Sequence, residues 1–540
     1  MSIAHLFAAA FRRRYPAFMI YAPPPHVTQH WQVRKPPAHG RRGMVVSQSR
    51  DAALAGVAIL DAGGNAIDAA VATALALAAM EPWNSGLGGT GFALVHPAGG
   101  ARAETVDFGP RAPARLDPAR YPLTGRAAAD LFAWPAVAND ANVHGPLSFA
   151  IPSAPAGYAL MLERWGRLPL ADVIAPAQAL ARRGLPQDWF TTLKIAVQAA
   201  LLQRYPESAR LYLPGGLPPI PPYQGNPASF VLGRLPDTLD RLASAGLRDF
   251  YEGDIAASIA ADVAAMNGFL DADDLRECRA RLATPLEIPF AGRVLQLAGG
   301  LTASPTVARV IAALPPFEGA KPDAAWFRAL ASAMKAAYAE RLEGLGETEP
   351  LAAESCTTHL TVCDEQGGMV AMTTTLLSSM GSRVVLPGSG VLMNNGIMWF
   401  DPRPGRPNSL AASKRPLTNM LPAILRDGDR PVLGAGASGG RRIMAAVTQI
   451  LAFVAGFGMT PEDAAHHPRI DVSDPAGIDA DDRLALDLPD LDLDGTPADR
   501  LEHSVLPVNF ACPNLIHIVD GQRTGISDVM SPWSAAIAQA

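Results

Sequence analysis

The chain of 540 residues is long enough for two or three ordinary domains or for one large layered domain. Hydrophobic residues make up 49% of it and charged residues 18%, which excludes a disordered or fibrous protein. The net charge of −6 is small for this length, so we expect no nucleic-acid partner. The four cysteines show no C-x-x-C spacing, so we expect neither a metal site nor a disulfide framework.

The first 43 residues are rich in proline and arginine and show no sustained hydrophobic period, which predicts an N-terminal arm. An apolar stretch at residues 6–11 precedes three arginines, whereas a signal peptide has its positive charges first. The longest apolar run, residues 66–80, is short and contains Asp68, so it predicts a buried helix and not a membrane span. We therefore expect a cytoplasmic protein, with a periplasmic location as the alternative.

From residue 44 the hydrophobic pattern becomes regular. A strand at residues 44–47 and helices at 52–61 and 66–80 come first, and paired strands are predicted at 92–96 and 105–108. Further helices are predicted at 156–165, 171–183, 237–245, 255–267, 304–313 and 324–344. After residue 357 come short strands and one long helix at 441–456. This mixture indicates a layered α/β or α+β fold.

Two alternating segments, residues 357–364 and 368–375, predict a β-hairpin. The three-residue loop between them ends in Gly367, and that position favours positive φ. If residues 364 and 368 pair, Thr357 faces Thr375, and opposed Cβ atoms lie about 4.5–5.5 Å apart. A loop register changed by one residue would instead place Thr374 or Leu376 opposite Thr357.

A threonine at a chain terminus can carry its own general base. Its free α-amino group has a pKa of about 7.7–8.0 and lies one short bridge from the hydroxyl that it activates. An internal threonine has no such amine. A Thr-rich hairpin is also what β-propensity alone produces, so the spacing by itself leaves the role of Thr357 open.

Residues 436–440, Gly-Ala-Ser-Gly-Gly, predict a turn between a strand and the helix that starts at residue 441. Unpaired amides at a helix start stabilise negative charge, so this turn is a candidate oxyanion hole, whose donors contribute about 2.7–4 kcal/mol each. The same residues fit the G-x-S-x-G elbow of serine hydrolases, with Ser438 as nucleophile, Asp490 as acid and His503 or His517 as base. The preceding chain lacks the regular strand–helix alternation of that fold.

A second glycine run, residues 86–91, matches G-x-G-x-x-G by letter. It follows a predicted helix and precedes a predicted strand, the reverse of the dinucleotide-binding context. Close backbone packing therefore explains these glycines better.

Many segments together resemble the gamma-glutamyltranspeptidase family, and they follow the family's order from about residue 43 to the end. They include Gly63-Gly64-Asn65, Glu81-Pro82, Ser85-Gly86-Leu87-Gly88-Gly89, Asp107-Phe108, Phe250-Tyr251-Glu252-Gly253, Thr357-Thr358-His359, Lys414-Arg415-Pro416-Leu417, Gly436 to Gly440, and Ser527-Asp528.

The resemblance implies an α+β fold, a four-layer αββα sandwich of the N-terminal-nucleophile hydrolase type. It also implies a precursor that cleaves itself between Cys356 and Thr357. The large-subunit portion, residues 44–356, and the small-subunit portion, residues 357–540, would stay associated after the cut, and a homodimer is left open.

Carried over residue by residue, Thr357 matches the nucleophile and Thr375 the threonine that orients it. Gly439 and Gly440 match the pair whose amides form the oxyanion hole. The implied substrate is a small-molecule amide that acylates Thr357, and water or an amine resolves the acyl-enzyme. No cofactor is implied, because nucleophile, base and donors all come from the chain.

The positions implied to contact substrate depart from the family pattern. Gly109 replaces an arginine that grips the substrate α-carboxylate, and Leu377 replaces a polar residue. Gly396 and Trp399 replace acidic and amide side chains, and a Thr-Asn pair replaces two serines. The candidate substrate contacts are Arg111, Ser379, Thr418 and Asn419.

These departures argue against a glutamyl substrate, because unmatched charges in a pocket cost several kcal/mol. An acylase for another amide is the alternative, with Leu377 and Trp399 forming a less polar pocket and Arg111 or Arg383 binding a carboxylate from another direction. A serine hydrolase using Ser438 and a family member without catalysis also remain open.

Overall fold

The computed structural model describes residues 34–127, 134–344, 356–474, 477–486, 491 and 496–540. Residues Lys35–Ala540 form one compact unit. The first 33 residues of the predicted arm, the segment before Cys356 and Asp490 lie outside the described residues. The arm was expected to extend to residue 43, but Ala38–Gly40 is already a strand, too short to produce a hydrophobic period.

The helices and strands are numbered in chain order within the described residues. The helices are α1 (Arg50–Asp61), α2 (Ala66–Met80), α3 (Ala154–Trp165), α4 (Leu170–Arg183), α5 (Trp189–Ala196), α6 (Ala199–Leu202), α7 (Pro206–Tyr212), α8 (Leu235–Ala245), α9 (Asp249–Glu252), α10 (Asp254–Ala265), α11 (Ala272–Glu277), α12 (Ser304–Ala313), α13 (Ala324–Gly344), α14 (Arg442–Leu451) and α15 (Pro461–His466). The strands are β1 (Ala38–Gly40), β2 (Met44–Ser47), β3 (Thr90–His96), β4 (Glu104–Phe108), β5 (Leu123–Ala127), β6 (Pro135–Val137), β7 (Leu185–Pro186), β8 (Ser229–Phe230), β9 (Arg281–Ala283), β10 (Leu286–Phe290), β11 (Arg293–Leu297), β12 (Cys356–Cys363), β13 (Met369–Leu377), β14 (Ala423–Asp427), β15 (Arg430–Ser438), β16 (Ile470–Asp471), β17 (Ile478–Asp481), β18 (Ala498–Leu501), β19 (Cys512–Val519), β20 (Gln522–Ser527) and β21 (Ala535–Ala538).

Two seven-stranded antiparallel sheets form the centre of the described structure. The β12 sheet has the order β21-β2-β12-β13-β3-β4-β9, and the β15 sheet has the order β1-β20-β19-β15-β14-β11-β10. The hairpin β12–β13 therefore occupies the middle of one sheet, and β15 the middle of the other. Central strands are buried on both faces, which fixes their position well.

Three buried apolar clusters mark the contacts between four layers. One joins the β12 sheet to α1–α4, and a second joins the β15 sheet to α12, α13 and α14. The third lies between the sheets, where Phe92 and Met369 of one sheet meet Ile424 and Ile516 of the other. The αββα sandwich expected from the resemblance is confirmed.

Helix α2 illustrates how the sequence builds a layer. All fifteen of its residues are buried, which agrees with the predicted buried helix. It begins with a capping box: Asn65 Oδ1 accepts from the amides of Ile67 and Asp68, and Asp68 Oδ2 accepts from the Asn65 amide. Among the described residues, no helix is long and apolar enough to cross a membrane.

Two predicted elements differ from the structure. The turn predicted at residues 436–440 is shorter, because β15 continues through Ser438. The helix predicted at 441–456 is α-helical only to Leu451 and continues as one π-helical turn, Ala452–Gly456. In β15, Gly436 is required by packing and not by a turn, since a Cβ there would lie 2.2 Å from the ring of His359.

Candidate active site

The hairpin that carries Thr357 has the register predicted from its loop. Residues 358–363 pair with 374–369, and the Asp364 amide donates to the Gly368 carbonyl at 3.0 Å. Gly367 has a φ of +94°, as the last loop position requires. The loop is held to α2 because Asp364 Oδ2 accepts from the Ala66 amide at 2.9 Å.

Successive residues of β12 face opposite layers, as in any strand. Leu360 and Val362 pack against the helices, whereas His359 faces the β15 sheet. Burial lowers the pKa of His359 to about 3, so its ring is neutral there. Its nitrogens lie 2.9 Å from Thr373 Oγ1 and 3.2 Å from Thr361 Oγ1. His359 is thus a packing residue between the sheets.

Thr357 lies at the start of β12 and is almost fully buried. Its Oγ1 donates to Thr375 Oγ1 at 3.3 Å, as the predicted hairpin register requires. The ladder is irregular at this point: Cys356 pairs with Leu377, and the register shifts between Cys356 and Thr358. Such bulges redirect side chains beside active sites.

The backbone opposite the predicted cleavage point is strained. Leu377 has a φ of +84°, which a non-glycine residue rarely adopts, at a cost of about 1–3 kcal/mol. Its amide donates to Thr375 Oγ1 at 2.8 Å, so the strained turn also fixes the hydroxyl that contacts Thr357. The approach of Gly89 to this hairpin is equally tight, because a Cβ at Gly89 would lie 2.7 Å from the Thr375 carbonyl oxygen. Close packing, as predicted, explains that glycine.

The glycine turn of the second sheet comes next to Thr357 through strand packing. His359 lies against Gly436, and two residues further along each strand are Thr357 and Ser438. Thr357, Ser438 and Gly439 all line one cavity of about 280 Å³. Gly439 and Gly440 have φ values of +129° and +62°, and Arg441, the N-cap of α14, follows them.

We call this cavity the Thr357 cavity. The rest of its lining is mostly apolar. Helix α5 and the loop at residues 503–510 cover it, and its polar lining includes Gln48, Glu81, Asn84 and Ser379. Ser379 Oγ is buried and has no hydrogen-bond partner within the described part of the chain. The apolar side chains that line the cavity include Phe190, Leu193, Val197, Leu506, Val508 and Phe510.

A buried carboxyl group lies at the inner wall of the cavity. Glu81 ends α2, and burial raises its pKa to about 7 although Thr358 and Asn84 donate to it. Thr358 Oγ1 lies 2.7 Å from Glu81 Oε2 and 2.9 Å from Gln48 Oε1. The side-chain amide of Gln48 donates in turn to Ser438 Oγ.

A charged cluster supports the covering loop. His503 Nε2 lies 3.3 Å from Asp528 Oδ1, and His503 Nδ1 lies 3.4 Å from Asp481 Oδ2. Burial alone would lower the pKa of His503, but the two carboxylates outweigh it and raise that pKa. Arg469 Nη2 pairs with Asp528 at 2.7 Å in a fully buried ion pair.

This arrangement argues against the serine-hydrolase alternative. A general base needs an unprotonated ring nitrogen aimed at the nucleophile, whereas both nitrogens of His503 face carboxylates. His517 lies in the middle of β19, where its backbone pairs with Leu433 and Thr524. The two central sheets are antiparallel, unlike the strand–helix alternation of α/β-hydrolases. Asp490 lies outside the described residues.

The structure brings only one of the four candidate substrate contacts into the Thr357 cavity, namely Ser379. Arg111 lines a different cavity and donates to the Ser413 carbonyl at 3.1 Å. Thr418 and Asn419 are engaged elsewhere: Thr418 Oγ1 donates to the Leu301 carbonyl, and both residues accept hydrogen bonds from Arg341.

The expected carboxylate-binding positions are likewise occupied. A Cβ at Gly109 would lie 2.7 Å from Arg415 Nη2, and Arg415 pairs with Asp107 at 2.5 and 2.9 Å. Arg383 donates to Ser378 Oγ and to main-chain carbonyls, which holds the loop after β13. The guanidinium group of Arg415 is therefore engaged in an ion pair, and that of Arg383 is engaged by the loop after β13.

The pocket expected from Leu377 and Trp399 is also different in the structure. Both side chains are buried in the cluster between the sheets, with Met398, Met420 and Trp134. They fill space and do not line the Thr357 cavity. At these two positions, where the resemblance implies polar residues, the structure has buried core side chains.

Sequence reasoning missed the residues that the tertiary structure adds to the site. In the sequence Glu81 stands out only as part of the Glu81-Pro82 segment, although its position directly after fifteen buried helical residues also indicates a buried carboxyl group. Gln48, Lys194 and Arg442 come from three distant segments, and no local pattern connects them. His503 was a candidate base of the serine-hydrolase alternative, and the structure places it at the cavity within the charged cluster.

Comparison with known proteins identifies the family. The gamma-glutamyltranspeptidase family model matches residues 52–355 and 348–488. The acylase ACY 1 proenzyme of Pseudomonas sp. (strain V22) is 31% identical over 484 residues, 81% of this chain and 83% of that protein. The glutathione hydrolase proenzyme of Escherichia coli (strain K12) is 29% identical over 488 residues, 80% of this chain and 81% of that protein.

A solved structure shows the same fold. The cephalosporin acylase from Bacillus halodurans superposes with a TM-score of 0.81 at 23% identity, over 96% of this chain and 99% of that one. Fold and family together define an enzyme of the N-terminal-nucleophile hydrolase class. Within that class, the chain belongs to the gamma-glutamyltranspeptidase family, and its relatives are made as proenzymes.

Proposed function

We propose that the chain cleaves itself between Cys356 and Thr357 and that the freed Thr357 hydrolyses amides through an acyl-enzyme. The observation that carries this proposal is the position of the Thr357 hydroxyl, 3.3 Å from Thr375 Oγ1 at the wall of a cavity that Gly439 also lines. A serine- or threonine-type acyl transfer requires this combination of nucleophile, orienting group and backbone donors.

Maturation uses the hydroxyl before the amine exists. Thr357 Oγ attacks the Cys356 carbonyl carbon, the peptide C–N bond breaks, and the nitrogen takes up the hydroxyl proton to become the new α-amino group. Water then hydrolyses the ester and releases the Cys356 carboxylate. The bulge at this point and the strained φ of Leu377 across the ladder favour bond rearrangement here over any regular position of β12.

Hydrolysis repeats the chemistry on a substrate. The α-amino group of Thr357 takes the hydroxyl proton as Oγ attacks the substrate carbonyl, and it returns the proton to the leaving amine. The amides of Gly439 and Gly440, at the start of α14, stabilise the developing oxyanion. Water resolves the ester, and an amine in its place would give transfer.

We further propose that the preferred acyl group is not glutamyl. The Thr357 cavity is lined largely by apolar side chains, while the family positions for a zwitterionic head are packed core, a separate ion pair or engaged hydroxyls. The cations Lys194 and Arg442 lie on the cavity wall and suit one carboxylate at the far end of a substrate. The resemblance to an acylase proenzyme supports the same choice.

A denaturing gel and intact-mass measurement of purified protein test the nucleophile. Wild type should give two fragments that meet at Thr357, and Thr357→Ala should give one uncut, inactive chain. Ser438→Ala is the matched control, because the serine-hydrolase alternative makes it the nucleophile, and it should still be cut. An uncut wild-type chain with full amidase activity would disprove the proposal.

A panel of acyl anilides run on processed enzyme tests the acyl preference. Apolar acyl groups and acyl groups ending in a single carboxylate should give a kcat/KM at least about tenfold above γ-glutamyl, since an unpaired charge in the cavity costs more than 1.4 kcal/mol. Faster γ-glutamyl turnover would refute the pocket assignment while leaving the nucleophile intact.

A further inference from the structure

A hydrogen-bond chain connects the strand of the nucleophile with the oxyanion turn. Its members are Glu81, Thr358, Gln48 and Ser438, in that order, and each is buried. Thr358 follows the nucleophile directly, and Ser438 precedes Gly439 directly. The hydrogen-bond chain thus starts at the end of α2 and ends beside the turn where the oxyanion of the proposed reaction must lie.

The hydrogen bonds of this hydrogen-bond chain can be donated in either of two directions, as a count of its protons shows. Thr358 Oγ has one proton but two acceptors within reach, Glu81 Oε2 and Gln48 Oε1. If Glu81 is protonated, it donates to Thr358, Thr358 donates to Gln48, and the Gln48 amide donates to Ser438. If Glu81 is ionised, Thr358 must donate to it, and the Gln48 amide satisfies its partners best when it is rotated by half a turn.

The two directions present different atoms to the cavity. In the first, Ser438 Oγ accepts from Gln48, and its own proton remains available to donate into the cavity. In the second, the Ser438 proton is taken by Gln48 Oε1, and only oxygen lone pairs face the cavity. Lone pairs repel an oxyanion, whereas a hydroxyl proton stabilises it.

We propose that Glu81 is a positioning residue whose proton sets the direction of this chain. When Glu81 holds the proton, Ser438 acts as a hydroxyl donor beside the amides of Gly439 and Gly440. This inference rests on the proposed function of Thr357. The proton is exchanged with solvent in the cavity, which Glu81 also lines, and no covalent bond changes.

The surroundings of Glu81 favour a proton that is held near neutral pH. Burial raises its pKa to about 7, against hydrogen bonds from Thr358 and Asn84 and the positive charge of Lys194 on α5. Arg442 and His503 are the other charged groups that line the cavity. Substrate that excludes water from the cavity strengthens the effect of burial.

The pH profile of kcat/KM for processed enzyme tests the proposal. The amine of Thr357 must lose its proton, so the rate rises with pH through its pKa of about 7.7–8.0, while ionisation of Glu81 lowers the rate per deprotonated amine by about tenfold above pH ~7. The wild-type rate should therefore rise by less than ionisation of the amine alone predicts. Glu81→Gln keeps a donor toward Thr358 at every pH, so its kcat/KM should be close to wild type at pH 6 and should exceed wild type by nearly tenfold at pH 9. Glu287→Gln is the matched control: Glu287, like Glu81, accepts from a side-chain amide, but it lies in β10 outside the Thr357 cavity and should keep the wild-type profile.

A second variant separates positioning from simple loss of structure. Ser438→Ala should lower the rate about tenfold at pH 6 and little at pH 9, so its rate relative to wild type should rise about tenfold over this range. A rate relative to wild type that does not change with pH, in Glu81→Gln or in Ser438→Ala, would overturn the role of the hydrogen-bond chain. Failure of the proposed function is distinct, because Thr357→Ala would then stay active.

Discussion

Replacing Thr375 by Val removes one hydroxyl and keeps nearly the same side-chain shape. The lost hydroxyl accepts from Thr357 Oγ1 at 3.3 Å and from the Leu377 amide at 2.8 Å. Each such buried hydrogen bond contributes about 0.5–1.5 kcal/mol, and leaving a buried partner without this acceptor costs about 1–3 kcal/mol. The shorter bond to the Leu377 amide therefore carries most of the effect on stability.

The effect on the reaction comes from the longer bond. Without Thr375 Oγ1, the Thr357 hydroxyl loses the contact that holds its rotamer toward the cavity. We expect about 2 kcal/mol of lost transition-state stabilisation, equivalent to about 30-fold in kcat. We also expect slower self-cleavage, because maturation uses the same hydroxyl.

The assay measures the cleaved fraction on a gel and kcat per cleaved molecule on one amide substrate. Thr375→Ser keeps the hydroxyl and should stay within about threefold of wild type. Urea unfolding of both variants separates loss of stability from loss of rate. A valine variant as fast as wild type, or a serine variant as slow as valine, would refute the orienting role of Thr375.

Three further predictions concern neighbouring residues. Gly439→Ala should lower kcat about 100-fold or more and destabilise the fold, because φ is +129° and the new Cβ would lie 2.7 Å from Ala511 Cα; kinetics and thermal unfolding check this. Leu377→Gly relieves about 1–3 kcal/mol of strain but loses about 2–5 kcal/mol of buried contact, so urea unfolding should show net destabilisation, and a gain in stability would contradict the ranking. The raised pKa of His503 means that its stabilising contribution is complete below pH ~6.5 and is lost as pH rises through the higher folded pKa; His503→Gln should flatten the wild-type loss of stability above pH ~6.5.

Local patterns in the sequence determined the elements and the hairpin. The buried helix Ala66–Met80 and the register of β12 with β13 follow from hydrophobic period and from one glycine loop. These features depend on residues close together in the chain, and the physics that fixes them is local: period, capping and φ. The contact between Thr357 and Thr375 belongs to this group, since the hairpin alone brings them together.

The hydrogen-bond chain from Glu81 to Ser438 could be known only from the tertiary structure. Glu81 and Thr358 are 277 residues apart, and Gln48 and Ser438 are 390 apart. No periodicity connects such positions, because their approach depends on how two sheets and a helix layer pack. The same packing places Arg111 at another cavity and buries Leu377 and Trp399 in the core between the sheets. The sequence could not predict these positions, because the whole fold determines which side chains are neighbours across layers.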